Sequence, residues 1–152
     1  MGELMERLII ETDKLFTNIT EELQGLIPSG TNGFVAVFTP HTTCAIALLE
    51  DELLHHLDVR LFLDLLAPKD KPMEGPYRNT KYFHDMISLR QEVGPDERIN
   101  GHSHIRSLFF DDTVLIPVEN GNLVLGSYKQ CFLVELDPIR KREIVVGILP
   151  AQ

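Results

Sequence analysis

Two histidines separated by one serine form the sharpest chemical feature of this sequence. His102-Ser-His104 places two imidazoles at positions i and i+2. On a β-strand these positions face the same side, so both imidazoles could coordinate one metal ion. His84 is the natural third ligand, with Asp85 or Glu97 to orient an imidazole through a hydrogen bond. The pattern predicts a divalent-metal site, with zinc as the expected ion, at His84, His102 and His104. The alternative is a polar loop whose histidines are only hydrogen-bonded or solvated.

A second candidate group, His41-Thr42-Thr43, lies at the start of an apolar segment. A histidine flanked by hydroxyl groups suits a metal ligand, a general base or a contact to an anion. The alternative is a histidine at the entry to a strand, with hydroxyl neighbours that bond the backbone.

Basic residues cluster near the C-terminus. Arg140 and Arg142 lie two residues apart on an extended segment, and Lys129 precedes them. Guanidinium groups match the geometry of phosphate oxygens, so this cluster favours a phosphate. The alternative is that the same arginines pair with Glu135 and Asp137 and support the fold.

Composition limits the classes of function. The 152 residues suit one domain, over 1–152. A net charge of −9 disfavours general nucleic-acid binding, because phosphate backbones are repelled. No apolar run approaches the roughly 20 residues of a membrane helix, and no signal-peptide pattern opens the chain, so a cytoplasmic location is expected. Cys44 and Cys131 lie in apolar runs and are expected to be buried thiols.

Hydrophobic periodicity predicts the elements that position these residues. A helix is expected over about 18–27, from a capping box at Asn18 and Glu21, and a longer one over about 50–66. Leucines at 53, 57, 61 and 65 predict one buried face of the longer helix. A long loop is expected over 67–80. The strands are expected at 7–12, 34–38, 41–49, 105–110, 113–118, 123–125, 130–136 and 143–149, with a hairpin turn at Asn120-Gly121. The fold class is therefore α+β, with a mixed, largely antiparallel sheet and helices on one face.

Taken together, the motifs resemble those of the YjbQ-like family, whose members are often described as secondary thiamine-phosphate synthases. The resemblance spans about Thr12 to Gly147. Its motifs are His41-Thr-Thr43, Glu50-Asp-Glu52, Tyr82-x-His84-Asp85, Arg90, Pro95-Asp-Glu-Arg98, Asn100-Gly-His-x-His104, Ile116-Pro-Val118, Gly121 through Gly126, and Val134-Glu-Leu-Asp137-x-x-Arg140-x-Arg142.

The resemblance implies a sheet that curls toward a barrel-like form, a homotrimer, and a histidine-rich pocket able to bind a divalent metal. It implies that His41, Glu50 and Glu135 are catalytic candidates. Thr42, Arg140 and Arg142 are the matching substrate-binding candidates. Lys129 joins them because it replaces a glutamine of relatives, in Gly126-Ser-Tyr-Lys129, and adds a cation.

Three functions follow as hypotheses. The first is a thiamine-phosphate synthase, which joins a pyrimidine carrying a diphosphate to a thiazole phosphate and releases pyrophosphate. The second is a metal-dependent hydrolase of a phosphorylated metabolite. The third is a non-catalytic trimeric protein that binds a metal or a metabolite.

Overall fold

The computed structural model describes residues 4–70 and 82–151, which form eight strands and three α-helices. The strands are β1 (Leu4–Thr12), β2 (Phe16–Asn18), β3 (Gly33–Phe38), β4 (Cys44–Glu50), β5 (Thr113–Glu119), β6 (Asn122–Leu123), β7 (Lys129–Glu135) and β8 (Arg140–Pro150). The helices are α1 (Thr20–Leu26), α2 (Leu53–Leu66) and α3 (Gly101–Ser107), with 3-10 turns at Phe83–Asp85 and Ile87–Leu89. Residues 71–80 of the predicted long loop lie outside the described residues.

The strands form two antiparallel sheets. The five-stranded sheet has the order β1-β8-β3-β5-β6 and curls as a half-barrel, and the three-stranded sheet has the order β2-β7-β4. This arrangement confirms the predicted α+β class and the largely antiparallel pairing. A short segment separates β7 from β8, and this segment connects the two sheets.

Alternating burial explains the larger core. In β5 the side chains of Val114, Ile116 and Val118 are buried, whereas the residues between them are exposed. Val35 and Val37 of β3 are buried in the same cluster. Period-two patterns of this kind place one face of each strand inward. The predicted thiols Cys44 and Cys131 are both free and buried, as expected.

Local turn chemistry is partly as predicted. Asn120 and Gly121 adopt φ angles of 50° and 81° and connect β5 to β6 through a two-residue hairpin, which confirms the turn. The capping-box prediction is wrong, because Ile19 is the N-cap of α1 and makes no side-chain cap. Asn18 belongs to β2, and its Oδ1 accepts from the backbone N–H of Thr20 at 3.0 Å.

The buried face of α2 is not the predicted one. Leucines 53, 57, 61 and 65 are 70%, 46%, 61% and 85% exposed. The helix packs instead through Leu63, which is 1% exposed, and through Val59 and the ring of His56, whose centroid lies 4.7 Å from that of Phe16. Within residues 4–70 and 82–151, no helix combines the length and the apolarity needed to cross a membrane.

The strand predicted over 105–110 is also wrong, because α3 extends through Ser107 and is followed by turns. Asp85 stabilises the start of this helix by accepting from the backbone N–H of Gly101 at 2.9 Å. The carbonyl of Asn100 accepts from the N–H of Ser103 at 2.8 Å and closes the first turn. These contacts satisfy donors that a helix start otherwise leaves free, and they come from residues that local β-type composition does not reveal.

Candidate functional site

A polar pocket of about 390 Å³ lies between the start of β4, α3 and the start of β8. We define the polar pocket by its lining residues: Pro40, His41, Thr42, Thr43, His84, Arg90, Glu97, Asn100, His104, Arg140 and Arg142. Three arginines and three histidines line it, against one carboxylate. That carboxylate, on Glu97, already accepts from Arg90 Nη1 at 2.6 Å. The pocket is therefore rich in hydrogen-bond donors, and each of its three arginines pairs with a carboxylate.

Six of the ten predicted site residues line this pocket: His41, Thr42, His84, His104, Arg140 and Arg142. Glu50 and Lys129 do not, since they are exposed cross-strand neighbours on β4 and β7. Glu135 is fully buried and holds Arg142. Arg90 and Asn100 also line the pocket. Both occur in the family motifs, but their local sequence does not predict a role in a site.

The shared-face argument for His102 and His104 is wrong. Both residues lie on α3, where consecutive side chains are about 100° apart, so positions i and i+2 face nearly opposite directions. His104 lines the polar pocket, whereas His102 lines a different pocket on the other side of the helix. On a strand, side chains at positions i and i+2 point to the same face. On a helix they do not.

His84 and His104 lie close together. Their ring centroids are 4.3 Å apart, and the ring planes are inclined by 38°. Neither predicted orienting carboxylate bonds an imidazole: Asp85 Oδ1 lies 3.9 Å from His84 Nδ1, and Glu97 is bonded to Arg90. In the part of the chain that the structure describes, no three His, Cys, Asp or Glu residues are arranged to hold a metal ion. The described residues thus supply two imidazoles and not the three ligands of a zinc site.

Gly101 sets how closely the two histidines approach. A Cβ at this position would lie 2.5 Å from Cβ of Tyr82 and 3.0 Å from Oδ1 of Asp85. Only a glycine permits such an approach between backbone and side chain. The segment that carries His84 therefore packs directly on the first turn of the helix that carries His104.

The tautomer of His41 follows from its contacts. His41 Nε2 lies 3.1 Å from the backbone N–H of Glu143 and must accept its hydrogen. In the neutral ring, Nδ1 then carries the proton, so His41 offers the pocket a donor and not a free base. Burial, aided by the positive charge of Arg142, lowers the pKa of His41, which keeps the ring neutral near pH 7. Burial likewise lowers the pKa of His104.

Arg142 and Glu135 form a buried, two-pronged ion pair. Arg142 Nε and Nη2 donate to the two carboxylate oxygens at 2.7 and 2.5 Å, and Nη2 also reaches Thr43 O and Oγ1. Glu135 also accepts from Thr12 Oγ1 and from the backbone N–H of Asp137. Burial acts to raise the pKa of Glu135, but these hydrogen bonds outweigh it and lower the pKa. Arg142 thus has the pairing that the alternative interpretation of the basic cluster predicts.

Arg140 is held differently. Its Nη2 donates to Asp137 Oδ2 at 2.7 Å, and its side chain remains 35% exposed. Asp137 also accepts from Asn100 Nδ2 at 3.0 Å. This bond fixes the Asn100 amide, so that its Oδ1 points away from Asp137. Arg140 Nε is buried and donates to no atom of the described residues.

Three buried side-chain atoms lack a hydrogen-bond partner among the described residues: His84 Nδ1, Asn100 Oδ1 and Arg140 Nε. All three belong to residues that line the polar pocket. A buried polar group without a partner typically costs about 1–3 kcal/mol. That all three residues line one cavity favours a binding site whose ligand would supply at least one acceptor and one donor.

An apolar pocket of about 740 Å³ adjoins the polar pocket and shares His41 and His104 with it. Its apolar lining comprises Phe38, Pro40, Ala45, Ile105, Leu108 and Phe110. A ligand with an anionic group at Arg140 would therefore have apolar surface next to the rest of its body.

Comparisons with known proteins agree with this fold. The sequence model of the family described as "UPF0047 protein YjbQ-like" matches residues 6–151. A UPF0047 protein of Archaeoglobus fulgidus is 29% identical over 132 residues, which cover 87% of this chain and 89% of the relative. One from Methanothermobacter thermautotrophicus is also 29% identical, over 86% of this chain and 80% of its own length.

Solved structures of similar proteins share the architecture. A conserved hypothetical protein of Thermus thermophilus is 31% identical with a TM-score of 0.70, over 95% of this chain and 99% of that one. A hypothetical protein of Aeropyrum pernix has a TM-score of 0.77 at 24% identity, over 97% and 99% of the two chains.

Proposed function

We propose that this chain, which belongs to the UPF0047 family of YjbQ-like proteins, is an enzyme acting on a phosphorylated small molecule in the polar pocket. The observation that carries the proposal is that one cavity is lined by His84, Asn100 and Arg140, whose Nδ1, Oδ1 and Nε atoms are buried without a partner among the described residues. Buried groups of this kind are costly unless a ligand or an ordered water completes their hydrogen bonds.

The donors of the pocket support an anionic ligand. Arg140 offers a buried Nε–H, and His41 offers Nδ1–H as fixed by its contact to Glu143. Hydrogen bonds from a guanidinium to a phosphate oxygen are charge-assisted and strong. The acceptor Asn100 Oδ1 would take a hydrogen from an amino or hydroxyl group elsewhere on the same ligand. Arg142 has a supporting role in this arrangement, since Glu135 and Thr43 already accept from its Nε and Nη2.

The reaction class that best fits these donors is transfer with loss of pyrophosphate, as in thiamine-phosphate synthesis. A bond forms between a ring nitrogen and a methylene carbon, while the carbon–oxygen bond to the diphosphate breaks and the pyrophosphate leaves with the electron pair. Donors preorganised around the leaving oxygens stabilise the charge that develops there. In this proposal Arg140 and His41 are the residues that contact the leaving diphosphate.

The direct test combines purified protein with a pyrimidine diphosphate and a thiazole phosphate and follows the release of pyrophosphate. We expect turnover by the wild type and a loss of at least tenfold in kcat/KM for Arg140→Gln. Lys141→Gln is the matched control, because Lys141 is exposed and pairs with Glu11 at 3.0 Å, outside the pocket. Equal turnover in Arg140→Gln would exclude this residue from the mechanism.

A metal-dependent hydrolase is the second candidate, favoured by the 4.3 Å separation of the His84 and His104 rings. It requires a third ligand in addition to those of the described residues. Protein purified without chelator should lose bound zinc or manganese in a His84→Ala/His104→Ala variant and keep it in His102→Ala. Metal content that depends on His102 but not on His104 would contradict this assignment.

The homotrimer is likewise a proposal, supported by the apolar stripe of leucines 53, 57, 61 and 65 on α2. Exposed apolar stripes of this size are typical of surfaces that another subunit covers. Light scattering of the wild type should give three times the chain mass, and Leu61→Glu should lower it. A monomer mass for the wild type at micromolar concentration would exclude the trimer.

A further inference from the structure

A second pocket, on the side of α3 opposite the polar pocket, has its own set of basic groups. This basic pocket has a volume of about 340 Å³. We define it by the five side chains that give it its character: Lys14, Arg60, Lys69, His102 and Arg106. His102, the histidine of the His-x-His motif that does not line the polar pocket, lines this one.

The carboxylates around the basic pocket are mostly engaged by other groups. Glu135 binds Arg142, and Asp137 binds Arg140 and Arg98. Asp64 pairs with Arg106 at 2.8 Å. Three cations of this pocket form no ion pair with any carboxylate of residues 4–70 and 82–151: Lys14, Arg60 and Lys69. Among the acids that line the pocket, Asp13 likewise forms no ion pair with a described residue. Four cations and four carboxylates line this cavity, and among those that form no ion pair with a described residue the three cations outnumber the one carboxylate, Asp13.

Arg106 gives the basic pocket a fixed cation. Its Nε donates to the carbonyl of Ala67 at 2.9 Å, and its Nη2 donates to Asp64 at 2.8 Å. Its side chain is only 12% exposed. An arginine held by two contacts loses little freedom when it binds an anion, so the cost of ordering it is already met in the folded chain.

His102 supplies an acceptor to the basic pocket. The hydroxyl of Ser103 donates to the carbonyl of Leu136 at 2.5 Å, so towards His102 Nε2, at 3.3 Å, it can only accept. In the neutral ring, Nε2 then carries the hydrogen and Nδ1 carries the lone pair. No residue of the described ranges donates to that Nδ1. A fully ionised oxyanion would be repelled by this lone pair, whereas an oxyanion with a hydroxyl group would donate to it.

We infer that the basic pocket is a second anion site, separate from the polar pocket, and that it binds hydrogen phosphate in preference to sulfate. The cations Lys14, Arg60, Lys69 and Arg106 attract the negative charge. His102 selects the hydroxyl that hydrogen phosphate carries and sulfate lacks near pH 7. The two histidines of the motif thus serve two different sites, one on each side of α3.

Isothermal titration with inorganic phosphate and with sulfate at pH 7 tests this site. In Arg60→Gln/Lys69→Gln, phosphate affinity at this site should fall at least tenfold. It should persist in Arg140→Gln, which alters the polar pocket, and in the control Arg7→Gln/Lys141→Gln, which removes the same charge from β1 and β8. Phosphate binding that Arg60→Gln/Lys69→Gln leaves unchanged would overturn the site.

His102→Gln tests the selection of the hydroxyl separately. Its amide can donate as well as accept, so the preference for phosphate over sulfate, expected to be about tenfold or more in the wild type, should disappear. Circular dichroism verifies that the variant is folded. A folded His102→Gln protein that still prefers phosphate would overturn the role of His102.

Discussion

Two arginine–carboxylate pairs lie side by side where β7 gives way to β8, and they differ in what they leave unbound. Glu135 and Arg142 are 1% and 4% exposed, and their hydrogen bonds are directed at each other and at Thr12 and Thr43. Arg140 keeps a buried Nε without a partner in the described chain, although its Nη2 reaches Asp137. The first pair is fully engaged within the fold, whereas Arg140 of the second pair lines the polar pocket and keeps a donor that no described residue accepts. Under the proposed function, the cluster of like charges divides into a structural part and a binding part within three residues.

The largest expected effect comes from removing one half of the buried pair. Glu135→Ala leaves the guanidinium of Arg142 buried without its counter-charge, and breaking such a pair typically costs about 3–5 kcal/mol. Urea denaturation should show this loss in the free energy of unfolding. The control is Glu11→Ala, which removes a surface pair with Lys141 whose side chains are both 74% exposed, and such pairs contribute about 1 kcal/mol or less. Equal losses in the two variants would end the distinction between structural and surface pairs.

Arg142→Lys is a milder change to the same pair. Lysine keeps the charge but cannot place two donors on the two oxygens of Glu135. We expect a loss of about 2 kcal/mol in unfolding free energy, in the range of one charge-assisted hydrogen bond. Pyrophosphate affinity, measured by calorimetry, should stay within twofold of the wild type. A large loss of affinity with unchanged stability would instead make Arg142 an anion contact.

Arg140→Lys should give the opposite result. The lysine can still pair with Asp137 but lacks the Nε–H and the two-pronged guanidinium geometry that matches phosphate, so pyrophosphate affinity should fall about tenfold, which corresponds to ~1.4 kcal/mol. Its melting temperature should stay near that of the wild type. Calorimetry and thermal unfolding of the two lysine variants, measured together, give a crossed pattern if the two pairs have different roles. Parallel changes in both variants would remove that difference.

The smallest expected effect concerns acid. The pKa of Glu135 is lower in the folded state than its ordinary value of 4.5, so the unfolded state takes up the proton first as the pH falls. The stabilisation is complete above pH 4.5 and is lost as the pH falls through the folded pKa. The stability deficit of Glu135→Gln relative to the wild type should therefore shrink below pH 4.5. Urea unfolding from pH 7 to 3 measures it, and a constant deficit would contradict the lowered pKa.

Sequence reasoning identified residues that line one pocket better than it predicted their geometry. His41, His84, His104 and Arg140 reach one pocket as a set, because the family motifs identify them whatever elements carry them. The position of His102 was not predictable from its spacing, since the meaning of His-x-His depends on whether the segment is a strand or a helix. The contacts that start α3 come from Asp85 and Asn100, and the Asp85 contact spans 16 positions of the chain.

Strands with period-two burial were predictable because this pattern is a local signal, as Val114, Ile116 and Val118 illustrate. The orientation of α2 was not. Leucines at four-residue steps indicate an apolar face, but they do not say which surface covers it. Within the chain, His56, Val59 and Leu63 pack against Phe16 and its neighbours and turn the leucines outward.

The absence of one methyl group at position 101 governs the distance between two imidazoles on different segments. An alanine there would overlap Cβ of Tyr82, so the segment bearing His84 would have to move away from α3 and from His104. Because His84 and Asn100 are neighbours in sequence of the residues in this contact, the same displacement would change the shape of the polar pocket without altering any residue that lines it. Gly101 does not line the polar pocket, but its small size determines how closely the residues that line the pocket approach each other.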